Sequence, residues 1–191
     1  MKNFCDRVLA LLNETEIDQI FGQFIDDLGE LPKCTYINEL GAHCITDRLD
    51  EFIHREPPSV ASYFFVRHGF SLNSIFRIFH TANFHVKPVN LEDWKTVPYM
   101  NDLPFGLAHT DNRQGVRSKL GQPLQSIRVG NEHISEPYDV EHSYPMQIVC
   151  WYTMPNEDLS ELRVAPRKLR MPWPEDIAEQ WTHTPPFEPN I

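Results

Sequence analysis

At 191 residues the chain is long enough to bury roughly 70% of the surface its unfolded form exposes, which supports a real core in one domain or in two packed half-domains. Its 12% aromatic content excludes a disordered coil, and no apolar run approaches the roughly 18 residues of a transmembrane helix. The formal charge of −10, from 27 acidic against 17 basic residues, disfavours binding to nucleic acid phosphates and suits a basic protein partner.

Phe4, Val8, Leu11 and Leu12 follow the spacing of one helical face. Asp6 and Arg7 break this short apolar stretch and no small-residue cleavage site follows, so it reads as a helix of a cytoplasmic protein and not as a signal peptide. A second helix has Thr15 as its N-cap, with Glu16 and Asp18 in the first turn where the dipole favours acids. Ile17, Ile20, Phe21, Phe24, Ile25 and Leu28 form its apolar face, and Gly29 and Pro32 end it. The stretch from Thr35 to Glu56, closed by Pro57-Pro58, is expected to hold a strand around Tyr36 and a strand or short helix over Leu49 to His54. Ala61 to Val66 reads as a strand, Arg67-His68-Gly69 as a turn, and Phe70 to Leu72 as extended chain. Ser74 to Phe79 reads as one further strand, although its short apolar run also fits a helix. Lys87 to Pro104, with Pro88, Pro98 and Pro104, is a connector.

Leu103 to Leu107 opens a second unit. Asp111 is its expected N-cap, with Gln114 completing a capping box; Val116 and Leu120 face inward, and Gly121 and Pro123 stop the helix. Strands are expected at Gln125 to Val129, Met146 to Thr153 and Leu159 to Val164. From Pro166 onward repeated prolines make an irregular arm, which Trp173, Trp181 and Phe187 can pin to the surface. The halves resemble each other: a glycine-stopped helix precedes apolar strands in both, and Ser74 to Ile78 parallels Ser160 to Val164. The expected fold is therefore α+β, with two tandem helix-plus-antiparallel-sheet units over 1–101 and 102–165 and a proline-rich C-terminal arm over 166–191. Ile17, Phe21, Phe24, Leu28, Phe64, Ile78, Val116, Leu120, Ile148 and Cys150 are its expected core.

The chain has no Gly-rich phosphate loop, no GxSxG and no HExxH. Cys5, Cys34, Cys44 and Cys150 form no CxxC pair and are expected as reduced thiols in or near the core, with Cys150 made inert by burial. His80 and His85, and the run Tyr138-Asp139-Val140-Glu141-His142, are the candidates for metal or acid–base chemistry. In a strand Asp139 and Glu141 share one face while His142 takes the other, so the run reads instead as an acidic, solvated loop. Arg167, Lys168 and Arg170 make too short a basic run for nucleic acid. No catalytic residue, metal ligand or cofactor is assigned. The expected contact surface combines Glu132, Glu136, Asp139 and Glu141 with Trp151 and Tyr152, of which one points out where the other is buried. Asp26, Asp27 and Glu30 are a second choice.

Leu103 to Leu107, Asp111-Asn112-Arg113 with Val116, Leu120-Gly121-Gln122-Pro123, Tyr138-Asp139 and Ile148 to Tyr152 together resemble a pattern common in bacterial immunity proteins. These are encoded beside toxins of polymorphic or type VI secretion systems. The helix ending in Leu-Gly-x-Pro before antiparallel strands is also similar to the unit of beta-lactamase inhibitor protein, which uses two such units to present a concave sheet to an enzyme. The resemblance covers residues 103–164 and, more weakly, 15–79. This chain departs from exported members in having no signal peptide, and its proline-rich tail does not align. The resemblance implies a cytoplasmic inhibitor that binds one cognate toxin through a preorganised surface, without chemistry of its own, membrane or nucleic acid. A basic nuclease suits the acidic charge. The competing readings are a small metal-binding or hydrolytic enzyme using the histidines and carboxylates above, and a structural subunit of a larger assembly.

Overall fold

The computed structural model describes residues 3–14, 19–37, 43–46, 60–91, 94–141 and 145–167. The expectations for Thr15 to Asp18, for Leu49 to His54 and its closing prolines, for His142, and for the arm from Lys168 onward lie outside them.

Helix α1 (Phe4–Leu9) starts at Asn3, whose side-chain oxygen accepts the Asp6 amide at 2.7 Å. Helix α2 (Gln19–Leu28) stops at Gly29, whose φ of +64° and amide bond to the Ile25 carbonyl at 3.0 Å make a left-handed end that glycine adopts without steric cost. The strands are β1 (Lys33–Ile37), β2 (His43–Thr46), β3 (Val60–Phe65), β4 (Phe70–Ile75), β5 (Ile78–His85), the two-residue β6 (Asn90–Leu91) and β7 (Trp94–Lys95), β8 (Ile127–Val129), β9 (His133–Glu141), β10 (Pro145–Thr153) and β11 (Asp158–Pro166). Helix α3 (Arg113–Leu120) precedes β8. Nine strands form one antiparallel sheet in the order β2-β1-β3-β4-β5-β11-β10-β9-β8, while β6 and β7 pair as a separate ribbon. The sheet runs across the 101/102 boundary, because β5 pairs with β11.

Strand alternation and register sort the side chains onto two faces. Tyr63 and Phe65 of β3 sit opposite Leu72 and Phe70 of β4; the same face continues through Phe84 and Ala82, Leu162 and Val164, and Cys150 and Ile148 to Glu136 and Tyr138. Helices cover this face. Phe21 packs on Phe79 and Tyr63 with ring centroids 4.7 and 5.7 Å apart, and Phe24 meets Phe65 and Phe70 edge-on at 5.9 and 6.1 Å. Val116 of α3 is buried over the β8–β11 half.

Several expectations are corrected. Ser74 to Phe79 is not one strand: Phe76 and Arg77 have φ of +47° and +67° and form the two-residue turn between β4 and β5, so the parallel with Ser160 to Val164 fails. That turn lacks the usual Asn or Gly, and its apolar residue hid it. Asn112, not Asp111, caps α3, accepting the Gly115 amide at 2.9 Å; Asp111 instead accepts the Ala108 amide and pairs with Lys119, both at 2.7 Å. Tyr138 to Glu141 belongs to β9 and is not a loop. Phe64 is half-buried on the other face, because period-two alternation turns Tyr63 and Phe65 inward instead. Leu28 and Leu120, at helix ends, are only partly buried, and Ile20 is 54% exposed. Phe21, Phe24, Ile78, Val116, Ile148 and Cys150 are buried.

A backbone strap closes one end of the sheet. The Val97 amide donates to the Val66 carbonyl at 2.9 Å, Tyr99 to His85 at 2.8 Å, and His85 to Gly69 at 2.9 Å. Gly69 has φ +70°, and a Cβ there would lie 2.3 Å from the Tyr99 nitrogen and 2.5 Å from the Val97 oxygen, both backbone atoms. Gly69→Ala is therefore expected to cost at least about 2 kcal/mol, from the positive φ and the forced movement together. Phe24→Ala should cost about 3–5 kcal/mol by emptying the contact between α2 and the sheet. Denaturant titration measures both; a loss under about 1 kcal/mol for either would reject the corresponding packing.

Candidate functional site

On the helix-covered face β9 carries one carboxylate, Glu136, with none of its side chain exposed. A buried charge persists only when its oxygens are saturated with donors. Glu136 Oε1 accepts from Arg113 Nε at 2.7 Å, from Ser126 Oγ at 2.6 Å and from Arg117 Nη2; Oε2 accepts from Arg117 Nε at 3.2 Å and Tyr138 OH at 2.7 Å. Arg113 and Arg117 stand one helical turn apart on α3, so the carboxylate fastens that helix to the sheet. Burial alone would raise the Glu136 carboxyl, but the bonds from Arg117, Ser126, Tyr138 and Arg113 outweigh it and hold the pKa at about 2. Beneath the network burial pushes the Cys150 thiol up to about 12, and Tyr152 is fully buried with its hydroxyl 3.4 Å from that of Tyr138. Glu136 and Tyr152 are thus enclosed by α3 and are withdrawn as contact residues: alternation turned them inward.

The opposite face, free of helices among the described residues, gathers polar groups from three neighbouring strands. Asn83 Nδ2 donates to Ser71 Oγ at 3.1 Å; His85 Nε2 lies 3.2 Å from the same oxygen, and His85 Nδ1 lies 3.3 Å from Glu161 Oε2. Arg163 donates to Asn83 Oδ1 at 3.0 Å and to Glu161 Oε1 at 3.5 Å, closing a ring. Ser71, Asn83 and His85 are buried, whereas Glu161 and Arg163 keep partial exposure. Burial would raise the Glu161 carboxyl, but the hydrogen bond to His85, with the Arg163 guanidinium behind it, draws it below its ordinary value. Trp151 is half-buried beside this ring, with the Arg163 guanidinium 6.0 Å from its indole centroid.

His80 and His85 do not converge. Five positions apart on β5, they are separated by roughly 16 Å along the strand. Both His85 nitrogens are engaged, and burial, with the nearby Arg163 charge, lowers His80 to about 4. Among the described residues no group of three or more metal-binding side chains occurs, and no helix is long and apolar enough to cross a membrane.

The remaining expected contact residues divide between the two sides of the sheet. Asp139 and Glu141 project from β9 on the helix-free side; Asp139 meets Arg167 at 3.4 Å, and Glu141 is exposed. Glu132 is exposed in the turn between β8 and β9. Asp26 and Asp27 are exposed on α2, across the sheet, with Asp27 held by Arg7 at 2.6 Å. Glu30 accepts the Arg67 amide through both oxygens at 2.9 and 3.2 Å, fixing the turn after β3. Sequence reasoning missed Ser71, Asn83, Glu161 and Arg163, because three strands contribute them and no linear spacing joins them. The available signal was the polar alternation within each strand: Ser71 and Asn73, then Thr81, Asn83 and His85, then Glu161 and Arg163. Comparison of the chain with protein-family models, with curated proteins and with solved structures gives no match.

The pH response of α3 docking follows from Glu136. Folding lowers its pKa from an ordinary 4.5 to about 2, so its stabilisation is complete above about 4.5 and is lost as pH falls through about 2. Glu136→Gln should flatten the acid limb of stability between those values in a pH series of denaturant titrations; an unchanged limb would sever this link. At neutral pH Glu136→Ala should cost on the order of 3 kcal/mol, because two partly buried guanidinium groups lose their shared counter-charge.

Proposed function

We propose that this protein binds and neutralises a cognate bacterial toxin in the cytoplasm by occluding it, as the likeness to immunity proteins implies. The observation that carries the reading is the helix-free face of a nine-stranded sheet, where Trp151 stands among polar side chains of β5, β9 and β11. A rigid sheet face that presents Trp151 among polar side chains, beside the part covered by Phe64 and Trp94, is a surface suited to protein recognition, and occlusion requires no chemistry. We read the sheet as two tandem units, α2 with β1, β3, β4 and β5, and α3 with β8 to β11, whose last strands pair at the centre. In support, each unit sets one helix before an antiparallel meander.

The contact surface on this reading is Trp151 with Asp139, Glu141 and Glu132. Arg167 partly neutralises Asp139, so Glu141 and Glu132, which have no ion-pair partner among the described residues, carry most of the steering toward a basic enzyme. Asp26, Asp27 and Glu30, across the sheet, form a separate second choice.

The toxin to test is the product of the adjacent reading frame. Asp139→Lys with Glu141→Lys should slow its association and flatten the salt dependence, whereas Trp151→Ala should raise the dissociation rate about 30-fold, as the loss of an anchor worth about 2 kcal/mol does. Surface plasmon resonance reads both. Full protection of cells by folded variants of all three residues would remove this face from the interface, and a pull-down returning only further copies of this chain would favour a structural subunit.

A further inference from the structure

The two charged members of the ring on the helix-free face fix the polarity of every bond in it but the one between Ser71 and His85 Nε2. Arg163 can only donate, so the Asn83 atom 3.0 Å from its Nε is the amide oxygen. The Asn83 nitrogen then faces Ser71 and donates to Oγ at 3.1 Å. An ionised Glu161 can only accept, so His85 Nδ1, 3.3 Å from Oε2, carries the ring proton. In the neutral imidazole Nε2 is then the bare nitrogen, and Ser71 Oγ, 3.2 Å away, is placed to donate its hydroxyl proton to it. A serine hydroxyl held against a basic imidazole nitrogen, with the other nitrogen oriented by a carboxylate, is the arrangement that activates an oxygen nucleophile.

We propose that Ser71 is a nucleophile toward small esters, with His85 as its base, Glu161 orienting the imidazole and the Asn83 amide nitrogen as the oxyanion donor. This goes beyond toxin binding and does not depend on it. Ser71 Oγ forms a bond to the acyl carbon while its proton passes to His85 Nε2. The tetrahedral oxygen takes its hydrogen bond from Asn83 Nδ2, the ester carbon–oxygen bond breaks, and the Nε2 proton leaves on the alcohol. Water then adds to the acyl-serine, giving one proton to His85; the carboxylic acid departs and the Ser71 hydroxyl is restored. The balance is ester plus water to acid plus alcohol, with no other reactant.

Access sets the substrate class. Ser71 is 1% exposed, and the half-buried Phe64 ring, its partner across β3 and β4, lies parallel to His85 with centroids 6.3 Å apart and meets Trp94 edge-on at 5.0 Å. An acyl group reaches Oγ only when Phe64 turns aside, which limits substrates to short chains such as acetyl esters. A single amide donor for the oxyanion makes the reaction slow.

The test treats the folded full chain with p-nitrophenyl acetate and with a small fluorophosphonate, followed by intact mass and peptide mapping. One adduct, mapped to Ser71, is expected on the wild-type protein. Labelling should fall at least 100-fold in His85→Gln, vanish from that peptide in Ser71→Ala, and accelerate in Phe64→Ala. No adduct on Ser71 in folded wild-type protein and folded Phe64→Ala would overturn the proposal, and so would labelling scattered over lysines and tyrosines. Mapping on the wild-type chain decides the matter even where a ring variant fails to fold, and toxin binding by plasmon resonance is untouched by either result.

Discussion

Four residue pairs, Glu161 with His85, Leu162 with Phe84, Arg163 with Asn83 and Val164 with Ala82, join β11 to β5 and turn two groups of strands into one sheet. Both faces depend on that register. On one side it sets Leu162 and Val164 against Phe84 and Ala82, so the apolar layer under α2 continues to the layer under α3. On the other side the same four pairs bring Glu161 and Arg163 within reach of His85 and Asn83. A slip of one residue would turn Leu162 to the polar side and Glu161 into the core, a double penalty that makes the alternative register inaccessible.

The total of 27 acidic residues overstates how many free carboxylates the described surface presents to a partner. Glu136 is enclosed by two arginines, Asp111 is held by Lys119, Asp27 by Arg7, Asp139 by Arg167, and Glu161 by His85 and Arg163. The exposed pairs among these, Asp27 with Arg7 and Asp139 with Arg167, contribute little to stability, but like the buried ones they cancel field at a distance. Association governed by what remains would depend on a few acids placed at strand ends and turns, and Trp151 would govern dissociation.

The helices and the strong strands were legible because their information is local. The period of Phe21, Phe24 and Ile25 with the stop at Gly29 specifies α2, and Met146 to Thr153 has the apolar run of a strand buried on one face and partly on the other. What escaped is non-local or contrary to type. The turn at Phe76-Arg77 carries no glycine or asparagine, so an apolar run passed through it as a strand. The acids of β9 read as a loop because Glu136, one of three carboxylates in that strand, lies in the interior, and α3 supplies the arginines that make this tolerable. Trp151 and Tyr152 divided between the faces as adjacent strand residues must, but which one lay under α3 was decided by the register with β11. The ring of Ser71, Asn83, His85, Glu161 and Arg163 has members up to 92 positions apart in number, and no one-dimensional pattern connects them.

Synthesis of the chain in order gives the central pairing a cost in time. His85 meets Glu161 only after 76 further residues have been made. At about 5–20 residues per second, the outer edge of β5 waits roughly 4–15 s on the ribosome, with Phe84 and Ala82 in place and no neighbour to accept its amides. An unpaired edge of that kind invites other nascent chains. The strap emerges long before β11, but its Tyr99 amide takes the His85 carbonyl on the side that faces Gly69 and β4, so the edge that awaits β11 stays open. The wait therefore falls on the edge that the finished sheet buries at its centre, and it ends only when β11 has been made.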